Sequence, residues 1–399
     1  MESPIRKKNN QLLTPPSSSV KKYDLNAADV KGLSIKPKKL INDLKRVRKV
    51  PSKKSSGAVT LNPQQKSRKP RLRYRPELNT VFPLDDYVEG ITKDSSEDLS
   101  KDAEFLTYVL KHSKRIIVVQ GAGISVAAGI PDFRSANGLF TTLKSKSAQI
   151  KSGKDLFDFN HVYSSDSMSI SFNSLMSTLY SLSRTSKPTA YHSFISQLCE
   201  NNQIKRIYTQ NIDGLENETQ KLSSNNISTD SLVVQLHGSI HHMSCLKCKK
   251  KYAMDPSLFR TAEDTISGEI VPQCPECKEF ESVRSVCGKR LQGVGKLKPS
   301  VVLYNEYHPE GDTISEVMNK DIKSNPDALI IVGTSLKIPG VKQMVKQFAA
   351  KVRTKKGFVI WINREPPPPT IINLINGYDL IVSGDCQNLP VLLKQASIS

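Results

Sequence analysis

The stretch 115–135, RIIVVQGAGISVAAGIPDFRS, decides the fold. Its first six residues are mainly apolar, which is typical of a strand covered on both faces of a parallel sheet. Gly121, Gly123 and Gly129 follow at once, and such glycines let backbone N–H groups approach a phosphate where a helix begins. The match to a dinucleotide fingerprint is imperfect, because Val126 stands where Gly or Ala is expected. A dinucleotide site and a purely structural turn therefore both remain open.

Similar apolar runs recur along the chain, with helical patterns between several of them. The runs cover 204–208, 232–236, 300–304, 328–332, 358–362 and 380–382. Apolar residues at helical spacing predict helices over 100–114, with Ser100 as the N-cap, and over 341–355. Strands that alternate with helices predict an α/β fold, a Rossmann-like parallel sheet with helices on both faces.

The charge of the chain is unevenly distributed. The 399 residues carry 58 Lys and Arg against 38 Asp and Glu. Residues 1–80 hold 21 of the basic and 5 of the acidic residues, a net +16, which leaves 37 basic and 33 acidic residues, a net +4, for 81–399. Residues 1–80 have too few apolar side chains to offset the entropy of ordering, so we expect a disordered basic extension.

Several classes of protein are excluded. No apolar run approaches the ~18 residues of a membrane span, so we expect no membrane partner. The N-terminus lacks the apolar core of a signal peptide, so secretion is not expected. The odd number of cysteines, seven, favours a reducing compartment.

Three polar segments follow predicted strands or the glycine turn. IPDFRS (130–135) reads either as a surface turn or as a segment that closes over a ligand. TQNIDGL (209–215) and QLHG (235–238) end their strands, and ligands in open α/β sheets bind at the carboxyl ends of strands. TQNIDGL is therefore either part of a ligand site or a polar turn with helix caps. His237 could serve there as a general base, although a lone His is more often structural.

Four cysteines form two Cys-x-x-Cys pairs, Cys245 with Cys248 and Cys274 with Cys277. Two such pairs suit one tetrahedral zinc ion, and four thiolates leave no open coordination position. The sequence therefore predicts one structural zinc ion, with four unligated thiols as the alternative.

Taken together, these segments and GTSL (333–336) resemble the sirtuin family of NAD-dependent protein deacylases over about residues 100–390. The resemblance implies an NAD cofactor and assigns a role to each matching residue. The catalytic residues would be His237, the general base, with Asn211 and Asp213. Val302, Leu303 and Tyr304 would line the tunnel for acyl-lysine. NAD would be bound by Gly121, Ala122, Gly123, Asp132, Phe133, Arg134, Gln210, Asn211, Ile212, Asp213, His237, Gly333, Thr334, Ser335, Asn363 and Cys386.

The resemblance also implies the domain limits and the reaction. Residues 81–399 would form the catalytic domain, made of a large lobe (81–141, 200–242 and 292–399), a helical insertion (142–199) and a zinc module (243–291). The acyl oxygen would attack the ribose carbon as nicotinamide leaves, and free lysine and O-acyl-ADP-ribose would be the further products. A mono-ADP-ribosyltransferase, a non-catalytic NAD sensor on chromatin and a nucleic-acid-binding zinc protein remain alternatives.

Three segments are similar to the yeast-type nuclear sirtuins that deacetylate histone H3: SANGLF (135–140), GTSLKIPGVK (333–342) and GDCQ (384–387). The expected partners are an acetylated histone or other nuclear protein, chromatin, and DNA contacted weakly through the extension. Basic clusters at 36–54 and 66–75 predict a nuclear location. Asn305 stands where sirtuins usually have Gly, and Asn tolerates a positive φ. Thr14, which precedes Pro15, is either a phosphorylation-dependent degradation signal or part of a plain linker.

Overall fold

The computed structural model describes residues 70–91, 97–132, 155–218, 227–228, 230–263 and 268–396. All of them lie in one compact unit, 67–399. Thr14, the clusters at 36–54 and 66–69, Phe133 and Arg134 lie outside the described residues, so the predictions made for them stay predictions.

A seven-stranded parallel sheet forms the centre of the unit. The strands of the described residues are β1 (Val81–Pro83), β2 (Ile116–Gln120), β3 (Ile204–Thr209), β4 (Val233–Gln235), β5 (Gly238–Cys245), β6 (Lys251–Ala253), β7 (Leu297–Val301), β8 (Ala328–Val332), β9 (Phe358–Asn363) and β10 (Leu380–Ser383). The order across the large sheet is β1-β10-β9-β8-β2-β3-β4. The predicted Rossmann-like α/β class is confirmed.

Helices cover both faces of this sheet. Those on the sheet span Leu84–Val88, Glu97–His112, Ala190–Glu200, Gly311–Lys323, Pro339–Thr354, Pro369–Ile375 and Leu389–Gln395. Three further helices, Phe159–Val162, Asp166–Thr185 and Pro275–Val286, contribute to smaller separate cores. One core contains Leu106 and Ile195, and the other contains Phe348 and Trp361. Every residue of β2 is buried between these cores, which explains its unbroken apolar run. Within the described part of the chain, no helix is long and apolar enough to cross a membrane.

Two local predictions were wrong. The helix predicted over 100–114 begins at Glu97, so Ser100 lies inside it; Glu97 and Asp98 occupy its first turn, where the helix dipole favours acidic groups. The glycine turn opens two short 3₁₀ turns, Ala122–Ile124 and Val126–Ala128, rather than an α-helix. Gly129 ends the second turn at φ 83°, a conformation that favours glycine.

The apolar run 300–304 is not a strand of the parallel sheet. The strand is β7, Leu297–Val301, which pairs antiparallel with β5 in a small sheet of order β6-β5-β7. Gly238 allows this pairing, because its φ is 78° and an added Cβ would collide with the Ser300 carbonyl oxygen. An apolar run alone does not distinguish the two kinds of sheet, since only the partner strand decides.

Residues 70–80, which were predicted to belong to the extension, lie against the domain. The guanidinium of Arg75 donates to the Asp379 carboxylate, with Nε–Oδ1 at 3.0 Å, and to the carbonyl of Gly357. Tyr74 packs against the core and donates through its hydroxyl to Asp102 at 3.0 Å. This part of the basic segment is therefore anchored.

Candidate functional site

The carboxyl ends of the parallel strands bring the predicted polar segments to one edge of the sheet. Gly121 follows β2, Gln210 follows β3, Gly333 follows β8 and Gly384 follows β10. The loops are bonded to each other: Gly123 N donates to Gly333 O at 2.9 Å, and Gly384 N donates to Asn363 O at 3.1 Å. A Cβ at Gly123 would lie 2.9 Å from Gly333 Cα, so the close approach requires glycine.

A cleft of about 1020 Å³ opens at this edge. Among the residues that line it are most of those predicted for cofactor and substrate: Gly121, Ala122, Gly123, Asp132, Gln210, Ile212, His237, Val302, Leu303, Tyr304, Gly333, Thr334, Ser335, Asn363 and Cys386. Asn211 and Asp213 instead line a small neighbouring pocket, together with Ala122 and Ile212. The structure therefore brings these distant segments into two adjoining cavities.

The amide side chains after β3 are held by the loops around them. Gln210 donates through Nε2 to Thr334 Oγ1 at 2.9 Å, and Asn211 donates through Nδ2 to Ser125 Oγ at 3.1 Å. Among the described residues, the buried Oδ1 of Asn211 has no hydrogen-bond partner. An unsatisfied buried acceptor is costly, so this atom is suited to a donor on a ligand.

Two buried acids, Asp213 of the small pocket and the neighbouring Glu216, influence each other. Burial, and then the neighbouring Glu216, raise the pKa of Asp213 to about 6. Burial also raises the pKa of Glu216, which accepts from Gln120 Nε2 at 2.6 Å and from Thr209 Oγ1 at 2.9 Å. Residue types alone pointed neither to Ser125 nor to Glu216. Their only sequence signal is their position within the motifs GAGIS and NIDGLE.

His237 directly follows the Leu236 that ends the third predicted strand run, and it faces the cleft. Its Nδ1 lies 3.0 Å from Gln210 O, and burial lowers the pKa of its imidazole. The bond to Gln210 O offsets part of this lowering of the pKa, and the neighbouring His308, whose Nε2 lies 2.9 Å from Leu236 O, lowers the pKa again. A neutral imidazole beside a cleft can accept a proton from a hydroxyl group.

The segment Val302–Tyr304 forms one wall of the cleft, and Asn305 follows it. Val302 N donates to His237 O at 2.9 Å, and Tyr304 N donates to Phe157 O at 2.7 Å. Asn305 adopts φ 61°, and its Nδ2 donates to Asp158 Oδ2 at 2.5 Å. Asn305 thus adopts the positive φ that it was expected to tolerate in place of Gly.

At the far end of the cleft, Cys386 is buried, and burial raises the pKa of its thiol to about 12. The nearby Arg364 donates to the Asp385 carboxylate at 2.6 Å. The thiol at this end is therefore protonated and unreactive at neutral pH.

The four predicted metal ligands come together in the described part of the chain. Their Sγ atoms all lie within 4.8 Å of one another, with Cys245–Cys277 at 3.7 Å and Cys248–Cys274 at 3.8 Å. A tetrahedron with Zn–S distances of about 2.3 Å requires S–S distances of about 3.8 Å. The cluster therefore fits one zinc ion with no open position. The sequence patterns did not indicate that Gly295 matters for this cluster. A Cβ at Gly295 would collide with Cys245 Sγ, so the cluster requires glycine there.

Comparison with known proteins gives consistent results. The Sir2 family model matches residues 121–340. The NAD-dependent histone deacetylase HST4 of Saccharomyces cerevisiae is 46% identical over 386 residues, 96% of this chain and 98% of that protein. The NAD-dependent protein deacetylase hst4 of Schizosaccharomyces pombe is 40% identical over 290 residues, 72% of this chain and 67% of that protein.

Solved structures show the same fold. A Sir2 homologue in complex with NAD is similar with a TM-score of 0.53 and 20% identity, covering 74% of this chain and 95% of that one. A Sir2 protein with a deacetylated p53 peptide and 3′-O-acetyl-ADP-ribose has a TM-score of 0.53 and 21% identity, covering 74% of this chain and 99% of that one. The resemblance seen in the motifs is confirmed, and this chain belongs to the Sir2 family.

Proposed function

We propose that this protein is an NAD-dependent lysine deacetylase of the nucleus that acts on acetylated histone H3 in chromatin and releases nicotinamide and O-acetyl-ADP-ribose. The name of the Saccharomyces cerevisiae relative, NAD-dependent histone deacetylase, supports this proposal, because the similarity extends over nearly the whole of both chains. The basic residues of 1–80 support the nuclear and chromatin parts of the proposal.

The observation that carries the proposal is the hydrogen bond of His237. Its Nδ1 must donate to Gln210 O, because a carbonyl oxygen only accepts. Nε2 therefore keeps its lone pair, and the lowered pKa keeps the ring neutral near pH 7. We assign His237 as the general base that takes a proton from a ribose hydroxyl.

The residues at the sheet edge fit NAD. Two observations support this fit. Among the described residues, the buried Oδ1 of Asn211 has no hydrogen-bond partner. Gly123 lies so close to Gly333 that only glycine fits there. When bound, NAD supplies the ribose carbon that loses nicotinamide and takes up the acetyl group. Asn211 and Asp213 would hold its nicotinamide end, and the loop Ala122–Arg134 would cover it. Gly333, Thr334, Ser335, Asn363 and Cys386 would hold its adenosine end.

The wall Val302–Tyr304 is assigned to acetyl-lysine. Val302 and Leu303 extend from β7, and their backbone is held by His237 and by the Glu306 carboxylate, which accepts from Leu303 N at 3.0 Å. Glu306 also accepts from the buried Lys298 Nζ at 3.0 Å. A wall fixed in this way can place the acetyl group beside His237 and exclude water.

The zinc module is assigned a structural role. Cys245, Cys248, Cys274 and Cys277 leave no position for substrate on a tetrahedral ion, so zinc would hold the module together. We propose the domain limits 81–141, 142–199, 200–242, 243–291 and 292–399 with two changes. Residues 70–80 join the large lobe, because Arg75 bonds to Asp379. The helix Ala190–Glu200 joins it too, because Ile195 packs in one of the cores of the large sheet.

The test is the product analysis of an acetylated histone H3 peptide incubated with and without NAD. We expect deacetylated peptide and O-acetyl-ADP-ribose only when NAD is present. A peptide that gains ADP-ribose would indicate the transferase alternative. NAD binding without turnover would indicate the sensor.

A further inference from the structure

The longest stretch of the domain without an acidic residue, 328–364, carries many basic residues. Residues 328–364 contain no acidic residue and eight basic ones: Lys337, Lys342, Lys346, Lys351, Arg353, Lys355, Lys356 and Arg364. Residues 81–399 carry a net +4, so the domain without this stretch has a net charge of 4 − 8 = −4. Two shorter acid-free stretches, 133–154 and 282–305, carry five basic residues each, so 328–364 is the largest of three basic stretches.

The helix Pro339–Thr354 carries the middle of this stretch and has two distinct faces. It buries Val341, Val345, Phe348 and Val352 against the sheet. With 3.6 residues per turn, its outer half presents Lys342 and Lys346 along one side and Lys351 along the other. Between them lie Gln343, Gln347, Ala350 and Thr354. We call this outer half, together with Lys355 and Lys356, the lysine face.

The charges of the lysine face are not neutralised by the domain. Within the described residues, none of the ion pairs involves Lys342, Lys346, Lys351, Lys355 or Lys356. The adjacent helix, Pro369–Ile375, has no charged residue. Clustered like charges repel one another, and an external polyanion would relieve this repulsion.

The lysine face borders the cleft that contains the residues assigned to NAD and to acetyl-lysine. Gln343 and Gln347 of its helix line the cleft, as does Lys337 just before it. The lysine face and the wall assigned to acetyl-lysine therefore border the same cleft.

We propose that the lysine face binds the sugar-phosphate backbone of duplex DNA beside the acetylated histone segment; the choice of chromatin as the source rests on the proposed function. Lys and Gln side chains are suited to phosphate contacts that carry no sequence information. From Lys342 to Thr354, where the helix ends, the rise is about 18 Å, the length of about five base pairs.

The composition of the lysine face favours duplex DNA over other polyanions. It offers no aromatic side chain on which the bases of a single strand could stack. It also has no large apolar side chain to insert into a membrane. A duplex, which presents only phosphates to such a surface, matches both features.

The experiment measures DNA binding by the full chain across a salt series, using fluorescence anisotropy with a 30-base-pair duplex. The variant replaces Lys342, Lys346 and Lys351 by Gln. The matched control removes three exposed charges elsewhere, at Lys278, Lys289 and Lys296. A second variant replaces the first three lysines by Arg and keeps the charge.

We expect the Gln variant to bind more weakly and its slope of log K against log salt to be shallower by about 0.9 for each phosphate that is no longer neutralised, about 2.7 for three. The basic extension should supply the binding that remains. The control and the Arg variant should keep the wild-type slope. With acetylated nucleosomes, the Gln variant should show a lower kcat/KM, while its kcat/KM on a free acetylated peptide should be unchanged.

An unchanged slope in the Gln variant would overturn the proposal, as would an equal decrease in the control. Equal loss of binding to polyglutamate or to phosphatidylserine vesicles would also overturn it, because the surface would then not be specific for DNA. If the wild-type protein deacetylated no peptide, the proposed function would fail, but the binding measurements would still decide this inference.

Discussion

The Nδ1 atom of His237 lies 3.0 Å from the backbone carbonyl oxygen of Gln210, 27 positions earlier in the chain. The bond links the residues that follow two neighbouring parallel strands, so the backbone of one positions the imidazole that follows the other. It also determines the tautomer, because the proton must be on Nδ1. The orientation of the assigned general base therefore depends on the sheet, not on a side chain that mutation could remove.

Replacement of His237 by Ala should abolish most turnover. Loss of a general base typically costs about 10²–10⁴-fold in rate. The measurement is NAD-dependent deacetylation of a peptide, with the thermal unfolding temperature as a check on folding. His161→Ala is the matched control, because His161 is exposed and does not line the cleft. A folded His237→Ala protein with near-normal turnover would disprove the assigned role.

The dependence of the rate on pH should follow the lowered pKa of His237. Burial disfavours the charged imidazolium, so the ring stays neutral and basic to a lower pH than an exposed His, whose pKa is about 6.5. We therefore expect kcat/KM for the peptide to be level above pH 6.5 and to fall only as the pH drops further. A rate that already falls between pH 8 and 7 through a group absent from His237→Ala would contradict the burial argument.

Replacement of Cys274 by Ser should remove the zinc ion and destabilise the module around it. Cys274 is completely buried, and structural zinc contributes directly to folding free energy. Elemental analysis should find one zinc per wild-type chain and almost none in the variant. Cys287→Ser is the control, since this thiol is exposed and lies outside the cluster. Active wild-type protein without zinc would refute the site.

Replacement of Arg75 by Ala should destabilise the domain by about 1–3 kcal/mol, because it removes a charged partner from the fully buried Asp379. Asp379 keeps only its other bonds, such as that from Val359 N at 2.7 Å. Arg73→Ala, at an exposed position of the same segment, should change the free energy of unfolding by less than about 0.5 kcal/mol. Equal urea midpoints for the two variants would show that the ion pair between Arg75 and Asp379 does not stabilise the domain.

A chain that begins at residue 70 should deacetylate peptides normally but lose its nuclear enrichment, because it lacks the basic cluster 36–54. A start near Val81, which the extent of the basic segment suggested, is unsuitable because it also removes Arg75 from Asp379. Fluorescence microscopy of tagged chains measures the distribution. Unchanged nuclear enrichment of the shortened chain would place the import signal elsewhere.

The sequence by itself determined the class of fold, the zinc cluster and the family. Each of these depends on local patterns: the run RIIVVQ before its glycines, two Cys-x-x-Cys pairs, and motifs that keep their order. Apolar runs and the spacing of metal ligands involve residues that are close together in the chain. They can therefore be recognised without knowing which helices and strands pack against each other.

Only the tertiary structure decided which residues from distant parts of the chain contact each other. Asn211 meets Ser125 across 86 positions, and Arg75 meets Asp379 across 304. The run 300–304 was expected in the parallel sheet, but β7 pairs antiparallel with β5 instead. Residues at such separations are brought together by the packing of the whole sheet, and many sequences of the same local pattern would pair differently. Burial, and with it the lowered pKa of His237, follows from that packing as well.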